Sequence, residues 1–274
     1  GNRVPQFEFE VVRAVDGLGG MIRAVALNPG AGEFVYDRRP VSHEPAPGVN
    51  ESLTRHQPYG SSDVDTMLHH LVSLCPNLRR VSLVVSWFGD DLRAGFCSVA
   101  PRVEISHKPT FGAQWSVAGL SRSSARVVSR ADGRPAFGGT PSDDSVVALI
   151  RRLRIDHGLE VVLYPFLMMD IPAGNALPDP YLDAAGQPRY PWRGRITCDP
   201  APGEPGSPDG SAAVAAQIAS FVGTVTPADM AVAGSSVACA KPDEWSYRRL
   251  VMHCAALAQA AGGVEGFVVG SELV

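Results

Sequence analysis

The 274-residue sequence predicts an α/β fold built on a parallel sheet. Apolar, β-branched runs at residues 81–87, 159–168 and 264–269 read as strands buried on both faces. Amphipathic helical patterns lie between them, and parallel neighbours need such crossovers. A nucleotide-binding open sheet would carry a glycine fingerprint after a strand. Neither G-x-G-x-x-G nor G-x-x-x-x-G-K-[ST] occurs, which favours part of a (β/α)8 barrel over a doubly wound sheet.

In chain order, the first 60 residues lack helical periodicity. Strand-like runs at 6–15 and 33–36 are punctuated by Asp16-Gly17, Gly19-Gly20 and Asn28-Pro29-Gly30. Pro40, Pro45, Pro47 and Pro58 then mark a linker, placing a boundary near residue 60. Ser61 and Ser62 can cap a helix running to about Leu74, with Val64, Met67, Leu68, Leu71 and Val72 on one face. A second helix opens at Thr140-Pro141-Ser142-Asp143-Asp144 and stops at Gly158. Further helices are expected over 211–222 and 243–261. Two long insertions, 88–140 and 171–210, follow strand ends, where barrel active sites are built. Within the first, 114–119 and 125–129 suit a hairpin or an additional strand.

Composition narrows the function classes. With 28 glycines and 23 prolines the chain is rich in turns, and an all-helical bundle is excluded. The net charge of −4 gives no electrostatic footprint of a general nucleic-acid binder. All basic residues but Lys108 and Lys241 are arginine. No apolar run reaches the roughly 18 residues of a membrane span, and no signal peptide is visible. Five cysteines without C-x-x-C spacing argue for buried free thiols over disulfides or zinc. The histidines show no metal-ligand spacing, so neither a metal nor a cofactor is expected. The strand-like start and apolar end look like a slice of a longer polypeptide.

Acidic residues sit at the strand ends: Asp90 and Asp91 after the first run, Asp170 after the second, Glu272 after the third. Parallel strands gather such ends at one mouth, and glycoside hydrolysis needs a carboxylate pair there. Trp87, Tyr164 and Trp192, with Phe88 and Tyr190, could offer sugar-stacking faces. Plain turns and core packing compete with each of these readings.

Several segments resemble one family. These are Val-Val-Ser-Trp-Phe-Gly-Asp-Asp-Leu-Arg-Ala-Gly (84–95), Gly-Gly-Thr-Pro-Ser-Asp (138–143) and Tyr-Pro-Phe-Leu-Met-Met-Asp-Ile-Pro-Ala-Gly-Asn (164–175). Tyr-Pro-Trp-Arg-Gly-Arg-Ile-Thr-Cys (190–198) and Val-Gly-Ser-Glu-Leu (269–273) complete the set. Together they resemble the TIM-barrel-like, glycoside-hydrolase-like domain of the large baseplate protein of gene transfer agents and related tailed phages. Residues 1–11 resemble the tail-hub β-segment that leads into it.

The resemblance implies the first half of a (β/α)8 TIM-barrel-like domain over 61–274, preceded by a short β-rich hub-type segment and linker over 1–60. Residues 61–274 fall short of the roughly 250 a barrel takes. It also implies a virion component at the tail tip, a homo-oligomer (a trimer by analogy) in contact with other tail and baseplate proteins. Its expected ligand is cell-wall or surface glycan, bound or cleaved during delivery. Glu272 would be the catalytic general acid, kept protonated by burial, with its partner carboxylate on a later strand and Asp170 assisting by positioning sugar hydroxyls or tuning its pKa. Asp90, Asp91, Trp87, Tyr164 and Trp192 would hold the sugar. A catalytically silent barrel, used only for assembly or glycan binding, is the alternative.

Overall fold

The computed structural model describes Val11, residues 17–28 and residues 32–273. Most of the strand-like run at 6–15, residues 29 and 30 of the turn at 28–30 and the final Val274 lie outside the described residues.

The frame is a mixed α/β arrangement around one sheet. Its four parallel strands are β1 (Ala24–Leu27), β2 (Arg80–Gly89), β3 (Glu160–Met169) and β4 (Gly266–Phe267), side by side in chain order. Val99–Ala100 adds an antiparallel piece at the end of β2. The sheet is open. Among the described residues no further strand joins β1 to β4, so the barrel is not closed.

Helix α1 (Asp63–Leu74) crosses from β1 to β2, and α2 (Asp143–Arg151) from β2 to β3. Helices α3 (Ala212–Val222) and α4 (Tyr247–Ala260) lie between β3 and β4. Ser62 caps α1 by accepting the Asp65 amide, and Asp63 and Asp65 complement the positive helix start. Helix α2 widens into a π-turn over Arg152–Asp156 and is released at Gly158, whose φ is 63°.

The strands divide their side chains by parity. Val81, Leu83, Val85 and Trp87 of β2, with Val161, Leu163 and Leu167 of β3, join a core with Val146, Leu149, Ile150 and Leu257 of the helices. Each fully buried aliphatic side chain there contributes about 1.5–3 kcal/mol. The opposite face of β3, carrying Val162, Tyr164, Phe166 and Met168, is only half-buried. The expectation of burial on both faces therefore holds for β2 and not for β3. The inner side of β3 lacks the neighbours a closed barrel would bring.

Other differences from the sequence reading have local causes. Residues 33–36 form turns, not a strand; Phe34 and Tyr36 are buried as anchors, and the Tyr36 hydroxyl donates to Val84 O and Leu27 O. The first sheet strand, Ala24–Leu27, lies upstream of the boundary expected near 60 and has no recognisable sequence run. The strand expected over 264–269 shrinks to Gly266–Phe267: Val268 N still donates to Leu163 O, after which the chain leaves the sheet. Helix α4 starts at Tyr247 because the carbonyls of Lys241, Pro242 and Glu244 are occupied by the Arg249 guanidinium. In the first insertion, Ser116–Val117 pairs with Leu120–Ser121, while Arg126–Val127 runs parallel to Arg102–Val103. A further hairpin, Met230–Ala233 with Ser236–Cys239, was not anticipated.

Candidate functional site

Because the strands are parallel, β2, β3 and β4 deliver the acidic residues that follow them to one end of the sheet. Their surroundings there differ sharply. Asp170 is 2% exposed: its Oδ2 accepts Arg102 Nη1 at 2.6 Å and the Ser129 amide at 2.8 Å. Asp91 is 4% exposed and holds Arg93 through both oxygens, with Gln187 Nε2 adding a third donor. Asp90 accepts the Ser98 amide and pairs with Arg126 at 2.7 Å. These three carboxylates tie insertion loops to the sheet. Asp91 and Asp170, expected at the sugar, are buried structural groups.

Trp87 is likewise not a sugar platform. Fully buried on the helix side, its ring lies 5.1 Å from His253 and 5.8 Å from Trp245. Below it, His253 Nε2 meets Asp143 Oδ1 at 2.9 Å in an entirely internal pair.

Glu272, Trp192 and Tyr164 do come together. Arg193 Nη2 contacts Glu272 Oε2 at 2.7 Å, and Trp192 Nε1 donates to the same oxygen at 2.9 Å. Arg193 also donates to Ser271 O and Oγ, and the Tyr164 hydroxyl meets Ser271 Oγ. The guanidinium lies 4.0 Å over the Phe166 ring, which is set edge-on to Tyr164. Trp192 can lie flat because residue 194 is glycine: a β-carbon there would sit 2.4 Å from the indole. Trp192 as a residue stays 52% exposed. Glu272, with φ of 57°, is turned out of the sheet line.

The Glu272 side chain is 55% exposed, so the burial expected to keep it protonated is absent. Its charge is instead met by a buried guanidinium. Arg193 and Ser271 complete the cluster and were not singled out from the sequence. Their signal is adjacency to Trp192 and Glu272 in the motifs that carry the resemblance.

Beside this cluster the inner sheet face opens into a cavity of about 820 Å³, with Val84, Phe88, Phe137, Phe166 and Met168 among its walls. Glu104 is the carboxylate on that lining. Burial raises its pKa, opposed by the hydrogen bond from Lys108. Among the described residues, no three His, Cys, Asp or Glu side chains are placed to hold a metal ion. The five cysteines are free, four of them buried, and burial pushes the Cys97 thiol up to about 12.

Parallel strands in chain order, helical crossovers and a glutamate just beyond the fourth strand are the parts of a barrel rim. Residues 245–274 match the family model of the GTA TIM-barrel-like domain. The GTA TIM-barrel-like match covers α4, β4, Ser271 and Glu272, and leaves Trp192, Arg193 and the preceding strands outside it. It supports a TIM-barrel-like domain of the gene-transfer-agent kind in this segment, in keeping with the parallel sheet. No curated protein sequence matches the chain. Among the described residues no helix is long and apolar enough to cross a membrane.

Proposed function

We propose that the chain works in the tail baseplate hub of a gene-transfer-agent or phage-like particle and binds glycan of the target cell at the Glu272 cluster. The observation that carries the glycan reading is the half-exposed Trp192 ring, fixed by its N–H bond to Glu272. A fixed aromatic face beside a carboxylate and a guanidinium suits a pyranose. The ring takes the apolar sugar face, and the charged groups take hydroxyls.

The family match over 245–274 supports association with a gene-transfer-agent-type particle; the tail-tip position, the contact with other tail proteins and the presence of more than one copy are part of the proposal. The stretch up to residue 60 is proposed to include the lead-in from a hub-type β-segment, with Ala24–Leu27 already committed to the barrel sheet.

Binding is favoured over hydrolysis. A glycosidase needs a second carboxyl about 5–9.5 Å from the first. Asp170, expected to assist Glu272, is buried and occupied by Arg102. Glu272 is ion-paired and half-exposed.

The test is co-sedimentation with purified cell-wall and surface polysaccharide, combined with an assay for released reducing ends. Trp192→Ala is expected to weaken binding about tenfold or more, with no sugar release from the parent protein. Unchanged binding by Trp192→Ala overturns the glycan reading. Sugar release that disappears in Glu272→Gln would establish the hydrolytic alternative.

A further inference from the structure

The apolar cavity and the polar cluster are contiguous. Phe166 belongs to both: its ring lines the cavity and carries the Arg193 guanidinium that pairs with Glu272. A bare saccharide satisfies only half of this surface. Its hydroxyls would find no partners along Val84, Phe88, Phe137 and Met168, and unpaired polar groups are costly to bury. A volume of about 820 Å³ is that of a ligand pocket, with apolar walls and few polar groups.

We propose that this cavity takes the acyl chain of an anionic, acylated saccharide whose sugar rests on Trp192 and Glu272. The inference rests on the glycan reading above and names the class of glycan. The anionic part follows from Arg134, an exposed lining residue that makes no ion pair among the described residues. A guanidinium so placed matches a phosphate or carboxylate in bidentate fashion. Each methylene fully buried in such walls tightens binding by about fourfold at most.

The experiment uses the intact chain and two probes, phosphorylated N-dodecanoylglucosamine and phosphorylated N-acetylglucosamine, in titration calorimetry. The dodecanoyl probe is expected to bind at least tenfold tighter. Met168→Trp, which fills the cavity, should abolish that difference and leave polysaccharide binding through Trp192 unchanged. Arg134→Glu, an exposed change with little bearing on folding, should weaken the dodecanoyl probe about threefold or more, and its unphosphorylated form less.

Equal affinity for the two probes, while Trp192→Ala still weakens polysaccharide binding, overturns the acyl assignment and leaves the glycan reading standing. That result would arise if further strands cover the inner face. Binding of neither probe, with Trp192→Ala silent on polysaccharide, overturns both.

Discussion

The ends of β3 and β4 carry the same pair, a carboxylate against an arginine, at 2.6 and 2.7 Å. At Asp170 the acid side chain is 0% exposed and that of its arginine 9%; at Glu272 the acid side chain is 55% exposed and that of its arginine again 9%. The guanidiniums are equally sheltered, so the carboxylates alone make the difference. Asp170 is enclosed by the first insertion through Arg102 and Ser129. Glu272 leaves the sheet on a positive φ and turns to solvent beside an indole. An acid after an apolar strand is therefore a brace in one case and an accessible group in the other. What decides is how far the neighbouring loop folds over it.

The largest expected effect would break the comparison if it failed. Arg102→Met leaves Asp170 buried without its cation and should cost about 3–5 kcal/mol in urea denaturation. Glu272→Gln should cost under about 1 kcal/mol, because the carboxylate is solvent-exposed and the glutamine oxygen can still accept from Arg193. Equal losses would mean that the two strand ends are energetically alike.

The next prediction sharpens the accessible side. Gly194→Ala puts a methyl into the space of the Trp192 ring and should displace the indole from Glu272. Polysaccharide binding is expected to fall about tenfold, about 1.4 kcal/mol, with the denaturation midpoint little changed. Retained binding would mean that the flat seating of Trp192 is irrelevant.

The smallest effect concerns a third carboxylate. Burial works against the charge on Glu244, yet the Thr224 and Ser246 hydroxyls and the Thr224 and Val225 amides outweigh it. They hold its pKa down to about 2 from 4.5. A pKa depressed by folding contributes stability that is complete above about 4.5 and lost as pH falls toward about 2. Glu244→Gln should thus lose less stability between pH 6 and about 3 than the parent, by thermal melts. An identical pH slope would refute it.

How much of this was legible depended on residue chemistry close in sequence. Ser62 and Ser211 announce helix starts through side-chain oxygens that accept nearby amides, a signal contained within three residues, whereas the Ser246 cap of α4 was overlooked in favour of a start at 243. Strands β2 and β3 are ten residues each and apolar enough to stand out. By contrast, β1 is four residues of Ala, Val and Leu and exists only because Arg80–Leu83 pairs with it. The site was half legible. Glu272, Trp192 and Tyr164 were reachable from their positions after strands or in motifs. The fates of Asp91, Asp170 and Trp87 were not, because Gln187, Arg102 and His253 approach from 96, 68 and more than a hundred residues away. No local pattern encodes those meetings.

In the main sheet, the order of the parallel strands in space is their order along the chain. Synthesis therefore presents each new strand to the edge formed last. The sheet can be laid down from one side during translation, with the helix that has just emerged closing over the previous pair. In such a sequence the Glu272 cluster is assembled after the Asp170 pair, since Arg193 and Trp192 must wait some eighty residues for their carboxylate. The accessible acid is then also the one that meets its partners only after β1, β2 and β3 are in place.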